Sequence, residues 1–485
     1  MTQTATKYRE IRLPDVFTSS DESGRRYGGD IRIGDLTGNG TVDFVVFQSL
    51  GGIKPAFLGA FDIDGEPLWS IGRRDLAVAD TDSEGDDLLH TVSPDRPGPV
   101  AVADIDGDGA CEVLCLFVEE GIGPTSKWHL RDVLLLLLDG RTGKIKQEAA
   151  PEALRSCDGF VDGELRISNY VHQRLLVADF SGAGHAGDFV VKLGRTLVSC
   201  NSRFEVLWTY ENRWNLYPRH SAYIPSVGDF DGDGRDEVNG GLFLLDHDGT
   251  VLWEQYLGDN MDSVLVEPWD DGSPPRAIVS AGGMVLDGTG QRLFELGMEE
   301  VPHGQEIRCG RYHADSADPE LVIRHNGHHP DLLVAGRGGV RARFQVDESP
   351  NNTGLETIHW NGATGPDLIY SPAALWDGDG NRAVHFPDLP PPSGGRMGWY
   401  HCFPADVCGD GREEVILYDP TQDRVHIYTQ EPPKDSAFAI FDVSRWGFHL
   451  SRTTCMTIAR SRSVSSLATL QMYYDHAHEK EIRLD

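Results

Sequence analysis

The stretch SVGDFDGDGRDEV, residues 226–238, joins two short apolar runs through an acidic turn that contains two glycines. Similar segments surround Asp35 (IRIGDLTGNGTVDFVVF), Asp104 (VAVADIDGDGACEVLCLF) and Asp406 (PADVCGDGREEVILY), and a more divergent one contains Asp179 (LLVADFSGAGHAGDFVVK). Fainter copies keep the apolar runs but lose most of the acids. The copies begin near residues 31, 100, 174, 224, 264, 307, 356 and 402. The chain is therefore built from a repeat that occurs eight times.

Further β-type runs lie between the copies, including AFDIDGEPLWSIG, GLFLLDHDGTVLWEQ and MVLDGTGQRLFEL. Their β-branched and aromatic residues flank DG or TG dipeptides, which accept the positive φ of tight hairpins. About four short strands per repeat are typical of a β-propeller. We predict an all-β propeller of about eight blades over residues 1–432, or seven if one faint copy is only a hairpin. Residues 433–485 carry no repeat, and either complete the last blade or form a short tail.

Charge and hydropathy limit the partners of the chain. Its net charge of −33 argues against nucleic acid, because phosphate binding needs a basic surface. No apolar run reaches the roughly 18 residues of a membrane span. The N-terminal sequence MTQTATKYREIRLPDV lacks the apolar core of a signal peptide, so we expect a cytoplasmic protein, or a secreted one whose leader has been removed. Eight irregularly spaced cysteines without a CxxC motif indicate mostly buried thiols.

The acidic turns are candidate structural calcium sites. Calcium binds about six to eight oxygen atoms, and carboxylates at alternate turn positions point to a common centre. Counted from the first acid of the turn, positions 1, 3, 5 and 9 carry carboxylates in two turns. Two further turns have incomplete or weaker sets of ligands. The backbone carbonyl at position 7 would add one more oxygen. The candidate ligands are Asp229, Asp231, Asp233, Arg235 (through its carbonyl) and Glu237; Asp104, Asp106, Asp108 and Glu112; Asp35, Asn39 and Asp43; and Asp406, Asp410 and Glu414. The alternative is a turn stabilised by its own Asx hydrogen bonds without metal.

The acidic repeats resemble the FG-GAP repeats of integrin-type propellers. Residues 405–429, ADVCGDGREEVILYDPTQDRVHIYT, are similar to the last blade of rhamnogalacturonan lyases, which are eight-bladed calcium-binding propellers. Residues 220–249, HSAYIPSVGDFDGDGRDEVNGGLFLLDHDG, resemble a blade of those enzymes and of ulvan lyases. At the level of the repeat, the resemblance covers most of residues 25–430. It implies a β-propeller polysaccharide lyase with calcium as cofactor and an acidic polysaccharide or oligosaccharide as substrate.

Several blades have a histidine shortly before the inner strand. They are His172, His220, His303 and His401, with His359 in the blade between the last two. Because the approaches to the inner strands line one mouth of a propeller's channel, we predict that these side chains converge there. Neutral imidazole also suits zinc, so a zinc site is a less favoured alternative.

These residue types suit β-elimination on a uronate. The proton on C5 is weakly acidic while the neighbouring carboxylate is anionic, so a cation must neutralise that group as charge develops. Arginine can do so, a histidine or tyrosine can act as base, and a second one can protonate the leaving oxygen. The predicted catalytic residues are His220, His172, Tyr223 and His303, and the predicted substrate ligands are Arg219, Arg308, Arg324, His401, Tyr400 and Trp214. The rival functions are a non-catalytic carbohydrate- or protein-binding propeller and, ranked last, a glycoside hydrolase, which needs two facing carboxylates.

Overall fold

Short β-strands form nearly all of the regular structure. The computed structural model describes residues 2–19, 28–50, 54–76, 100–119, 131–157, 160–161, 164–165, 174–216, 218–222, 225–269, 274–327, 329–347, 355–362, 365–371, 373–391, 400–408, 410–419 and 422–431. Helical turns in this part of the chain are the 3-10 turns Asp15–Phe17 and Arg74–Leu76 and the α-helical turn Glu152–Arg155. Over the same residues, we find no helix with the length and apolar character that crossing a membrane requires.

The first half of the chain contains two N-terminal strands, four blades and two hairpins. Each blade is an antiparallel sheet whose strands follow one another from the inside outwards. The N-terminal strands are β1 (Gln3–Thr4) and β2 (Thr6–Arg12). Blade 1 is β3 (Gly28–Gly34), β4 (Asp43–Leu50), β5 (Lys54–Phe61) and β6 (Pro67–Gly72); blade 2 is β7 (Val100–Ala103), β8 (Glu112–Val118), β9 (Val133–Leu138) and β10 (Ile145–Ala149). A hairpin of β11 (Phe160–Val161) and β12 (Glu164–Leu165) precedes blade 3, which is β13 (Arg174–Ala178), β14 (Asp188–Leu193), β15 (Thr196–Cys200) and β16 (Val206–Glu211). A hairpin of β17 (Asn215–Leu216) and β18 (Arg219–His220) precedes blade 4, which is β19 (Ser226–Gly228), β20 (Glu237–Asn239), β21 (Phe243–Leu245) and β22 (Val251–Glu254).

The second half of the chain supplies the other four blades. Blade 5 is β23 (Val264–Pro268), β24 (Pro275–Val279), β25 (Met284–Leu286) and β26 (Arg292–Glu295); blade 6 is β27 (Glu306–Gly310), β28 (Glu320–Arg324), β29 (Asp331–Gly336) and β30 (Gly339–Gln345). Blade 7 is β31 (Glu356–Ile358), β32 (Leu368–Tyr370), β33 (Leu375–Trp376) and β34 (Arg382–His385); blade 8 contains β35 (His401–Ala405), β36 (Glu414–Asp419) and β37 (Arg424–Thr429). Eight blades are therefore present, and the eight-blade alternative of the sequence prediction is confirmed.

The N-terminus closes the ring. Strand β2 pairs antiparallel with β37 and becomes the fourth strand of blade 8, with Thr6 opposite Thr429, while β1 pairs parallel with β34 of blade 7. Ile11 on β2 packs in one apolar cluster with Ile31 of blade 1 and Phe403 of blade 8. The fourth strand of blade 8 thus comes from the N-terminal end of the chain. Residues 433–485, which the sequence predicted either to complete the last blade or to form a tail, lie outside the described part.

The core lies between neighbouring blades. Val45 of blade 1 packs in one cluster with Val102 of blade 2, and Leu265 of blade 5 packs in another with Ile323 of blade 6. Most inner strands contact the inner strand of the next blade. Because a blade is covered on both faces, its middle strands are apolar almost throughout, as in VLLLLL of Val133–Leu138. This arrangement leaves the approaches to the inner strands and the acidic turns at opposite ends of those strands.

Candidate active site and acidic turns

The approaches to the inner strands of blades 4, 5 and 6 bring three titratable side chains together. Nε2 of His303 lies 2.8 Å from Oδ2 of Asp262, and Nε2 of His220 lies 3.3 Å from Oδ1 of the same carboxylate. Each of the three residues comes shortly before the first strand of its blade. We call this group the His–Asp–His cluster. The predicted convergence of histidines is thus seen for two of them.

The three members differ in exposure. The side chain of His303 is 22% exposed, whereas those of His220 and Asp262 are 1% and 0% exposed. Burial lowers the pKa of His220, although the Asp262 charge acts in the opposite direction, and the charge of the buried Lys192 lowers it further. Nδ1 of His220 lies 3.0 Å from the carbonyl oxygen of Ser221. His303 is therefore the more exposed of the two histidines and is partly accessible to solvent.

The backbone around residue 326 holds His303 in place. The amide of His303 donates to the carbonyl of His325 over 3.2 Å, and its carbonyl accepts from the amide of Gly327 over 3.0 Å. Gly327 has φ +58°, and a Cβ at that position would lie 3.2 Å from Nδ1 of His303. A glycine there provides the left-handed turn and leaves room beside the imidazole.

His401 belongs to a second group, between blades 8 and 1. Its Nδ1 lies 3.2 Å from Oδ1 of Asp30, and the other oxygen of Asp30 lies 3.1 Å from the guanidinium of Arg32. The Arg32 and Asp30 side chains are fully buried, and the side chain of His401 is 10% exposed. His401 therefore links the first and last blades across the point where the ring closes.

The predicted substrate ligands Arg308 and Arg324 lie in buried ion pairs. Nε and Nη2 of Arg308 each lie 3.1 Å from an oxygen of Glu356, so that the pair joins the inner strands of blades 6 and 7. Nε of Arg324 lies 3.0 Å from Glu306, and its Nη2 donates to Ser371 over 2.8 Å. The side chains of both arginines are at most 1% exposed. As placed, the two guanidinium groups neutralise carboxylates of the protein.

The remaining predicted substrate ligands range from an exposed arginine to a buried tyrosine. The Arg219 side chain is 74% exposed, next in sequence to His220 and 3.7 Å from Asp259. Trp214 is half-buried beneath the guanidinium of Arg213, whereas Tyr400 is buried and its hydroxyl donates to the carbonyl of Pro390. The predicted catalytic residues His172 and Tyr223 lie outside the described residues.

The acidic turn of blade 4 brings three of its five predicted ligands together. Carboxylate oxygens of Asp229, Asp231 and Glu237 lie within 4.8 Å of one another, and the turn passes through Gly232 and Gly234 at φ +81° and +87°. Oε2 of Glu237 accepts from the amide of Phe230, but Oε1 has no hydrogen-bond partner although the residue is 1% exposed. Burial raises the pKa of Glu237 to about 8. Such a site fits a hard cation, which would pair with the buried oxygen. Asp233 and Arg235 lie on the same turn, where the Arg235 amide donates to Asp233.

The other acidic turns differ in how their carboxylates are paired. In blade 1, Asp35 accepts from the amides of Gly38 and Asn39, while buried Asp43 keeps Oδ1 without a partner and its pKa is raised by burial to about 7. In blade 8, Glu414 accepts from Thr429 and from two turn amides. In blade 2, oxygens of Asp104, Asp106 and Asp108 converge, but the ammonium group of Lys146 pairs with Asp106 and with Glu112.

Within the described ranges, three groups of side chains have metal-ligand atoms close enough to share an ion. Two of them lie in the acidic turns of blades 2 and 4, and the third combines Glu237 with Asp246 and His247 of the hairpin between β21 and β22. The two histidines of the His–Asp–His cluster do not form such a group. These two histidines alone give no support to the alternative of a zinc ion at the channel mouth, which stays a prediction because His172 lies outside the described residues.

Asp262 and Lys192 were not predicted from the sequence. Asp262 lies two residues before β23, in one of the faint repeats, at the place where other blades have histidine. A search for any titratable residue before the inner strands, instead of histidine alone, would have found it. Lys192 lies within the mostly apolar strand β14, and nothing in its sequence position marks it as part of a site.

Comparisons with known proteins agree with this architecture. No protein-family model matches the chain. The chain is 24% identical over 461 residues to rhamnogalacturonan exolyase YesX of Bacillus subtilis, covering 82% of this chain and 70% of that protein. It is 23% identical over 310 residues to rhamnogalacturonan endolyase YesW of the same organism, covering 56% of this chain and 47% of the relative.

Solved structures show the same fold. The crystal structure of rhamnogalacturonan lyase YesW matches with a TM-score of 0.66 at 17% identity, covering 96% of this chain and 84% of that one. The biofilm matrix protein Bap1 of V. cholerae matches with a TM-score of 0.53 at 13% identity, covering 95% of this chain and all of that one. At these sequence identities the structural similarity establishes only that the chain has the β-propeller fold. The function has to be argued from the site.

Proposed function

We propose that this chain is a polysaccharide lyase that cleaves an acidic, rhamnose- and uronate-containing glycan by β-elimination. The observation that carries the proposal is the partly exposed imidazole of His303, which is held on the buried carboxylate of Asp262. The names of its sequence relatives favour rhamnogalacturonan as the glycan. The likeness to ulvan lyases and to FG-GAP repeats stays a prediction from the sequence.

His303 is the proposed base. Because Nε2 lies 2.8 Å from a carboxylate oxygen, it carries the hydrogen in the neutral ring, and Nδ1 carries the lone pair. Nδ1 would take the proton from C5 of the uronate. Asp262 would then lie beside the resulting imidazolium and stabilise its charge. The buried His220 lies beside Asp262, and in this scheme its ring does not reach the substrate.

Arg219 is the proposed partner of the uronate carboxylate. Its side chain is 74% exposed and therefore open to a ligand, and its backbone adjoins that of His220 in the His–Asp–His cluster. A cation is needed there because the chain carries a net charge of −33, which repels an anionic polymer. The guanidinium stays charged at all relevant pH values and can hold both oxygens of a carboxylate. Tyr223 and His172 stay predictions for the acid that protonates the leaving oxygen.

The reaction type is tested by incubating the protein with a panel of uronate polymers that includes rhamnogalacturonan. We expect a rise in near-ultraviolet absorbance from the unsaturated uronate at the new chain end. New reducing ends without that chromophore would contradict the proposal and indicate a hydrolase. Retention of polymer without any product would indicate a carbohydrate-binding propeller.

We also propose calcium as a structural ion in the turn of blade 4. Support comes from the convergent oxygens of Asp229 and Asp231 and from the buried, unpartnered Oε1 of Glu237. An ion that binds only the folded protein stabilises it by about 2.7 kcal/mol at a concentration of 100 Kd. The turn of blade 1, with Asp43, is the second candidate.

Replacing Glu237 with glutamine is expected to remove one bound calcium per chain. It should also abolish most of the increase in melting temperature that calcium binding at this turn provides. The measurement is the melting temperature in calcium and in chelator, together with bound calcium after dialysis. Glu211→Gln is the matched control, because that side chain is 67% exposed on the outer strand of blade 3. An unchanged calcium content in Glu237→Gln would show that this turn takes no metal.

A further inference from the structure

The acidic turns of blades 2 and 6 contain a cationic side chain from the same position of their blade. In blade 2, Nζ of Lys146 lies 2.9 Å from Oε1 of Glu112, the last carboxylate of the turn, and it also pairs with Asp106. In blade 6, Nη1 of Arg341 lies 3.1 Å from Oε1 of Glu320, and Nη2 lies 2.7 Å from Asp315. Glu320 corresponds to Glu112 because each ends its turn as the first residue of its blade's second strand.

The strand register shows that the two cations occupy equivalent positions. In blade 2, Ile145 lies opposite Leu138 and Gln147 opposite Leu137, so Lys146 is the extra residue of a β-bulge in the outer strand. In blade 6, Val340 lies opposite Ala335 and Ala342 opposite Val334, so Arg341 is the extra residue. A bulge turns one side chain away from the regular alternation of the strand. In both blades that side chain extends to the acidic turn.

Blades 1 and 4 have leucine at this bulge. In blade 4, Val251 and Trp253 lie opposite Leu245 and Leu244, which leaves Leu252 as the extra residue. In blade 1 the extra residue is Leu68, between the paired residues Pro67 and Trp69. In these two blades the last carboxylate of the turn, Glu237 or Asp43, keeps a buried oxygen without a partner. Blade 3 also has a leucine, Leu207, at this bulge, but its turn has lost most of the acids.

We propose that the residue in the outer-strand bulge decides whether an acidic turn is neutralised by a protein cation or by calcium. Blade 2 accordingly contains a latent calcium site that Lys146 keeps closed. Its other requirements are met, because the oxygens of Asp104, Asp106 and Asp108 already converge and Oδ1 of Asp104 has no hydrogen-bond partner. An ammonium group a few ångströms from the centre repels a divalent ion and occupies two of its ligands. The inference rests on the proposed calcium in blade 4.

Two reciprocal substitutions test the inference. Lys146→Leu gives blade 2 the residue found in blades 1 and 4, and we expect it to bind one calcium per chain more than the parent protein. Leu252→Lys places an ammonium group beside Glu237, and we expect one calcium fewer. Leu252 is 44% exposed, so the longer side chain can be accommodated. Bound calcium is counted by equilibrium dialysis with elemental analysis, and melting temperatures in calcium and in chelator are compared.

Arg341→Leu is the matched control. Blade 6 has Arg311 at the first position of its turn, and His313 remains on Glu320 at 2.9 Å, so removing Arg341 should add no calcium. If the parent protein binds calcium and Glu237→Gln loses one ion, but neither bulge variant changes the count, the bulge inference is wrong and the calcium proposal stands. If no variant and no parent protein binds calcium, both are wrong.

Discussion

Replacing His303 with glutamine is expected to lower the turnover of an acidic polysaccharide by roughly 10²–10⁴-fold, the usual effect of losing a general base. The glutamine amide can still donate to Asp262, so the buried carboxylate keeps a partner and the melting temperature should change little. The amide cannot accept the C5 proton, so the loss should appear in kcat and not in KM. In the parent protein the rate should also fall towards acid pH, because the imidazolium form cannot act as base.

His385→Ala is the matched control for this prediction. His385 is exposed on the outer strand of blade 7, and we expect the variant to keep the parent turnover. Asp262→Asn should lower kcat as well, since Asp262 no longer stabilises the imidazolium. A folded His303→Gln variant with full activity would move the base to another residue, with His172 the first candidate from the sequence.

Replacing Arg308 with methionine is expected to lower the free energy of unfolding by about 3–5 kcal/mol. The reason is that Glu356, which is 1% exposed, would lose the two charge-assisted hydrogen bonds from the guanidinium group that neutralise it. The double variant Arg308→Met with Glu356→Leu should recover most of the loss, because neither charge then remains buried. Denaturant and thermal unfolding of the parent protein, the two single variants and the double variant measure the coupling free energy between Arg308 and Glu356.

The exposed pair of Arg292 and Glu295 provides the control. These side chains are 45% and 36% exposed at 2.8 Å, and Arg292→Met should cost no more than about 1 kcal/mol. The sequence predicted Arg308 as a substrate ligand. If Arg308→Met keeps its stability but raises KM strongly, that role is correct and the buried ion pair is unimportant.

The sequence was informative wherever the fold depends on local pattern. Paired glycines, alternating acids and apolar runs recur in the clearest repeats, and they sufficed to predict the propeller and the convergence of acidic side chains in the blade 4 turn. Ring closure was not predictable in this way, because Thr6 pairs with Thr429 and neither strand carries a signal for its distant partner. The same limit applies to Lys146, whose contact with Glu112 follows from a bulge that only the strand register reveals.

The candidate site was predicted in part for a related reason. A residue's place before an inner strand can be read from the sequence, and this predicted His220 and His303 at one mouth. The sequence does not tell which side chain is covered by its neighbours, so it did not separate buried His220 from partly exposed His303. Nor did it show that Arg308 and Arg324 point at carboxylates of adjacent strands.

Digestion of rhamnogalacturonan in water enriched in heavy oxygen tests whether the His–Asp–His cluster catalyses β-elimination. The masses of the products are measured by mass spectrometry. Elimination breaks the bond to the oxygen on C4 without adding water. We therefore expect pairs of products in which one member carries an unsaturated uronate and is lighter by one water. No heavy oxygen should be incorporated at the cleavage, and the yield should fall in His303→Gln. Products of full mass that carry one heavy oxygen per cleavage would contradict it.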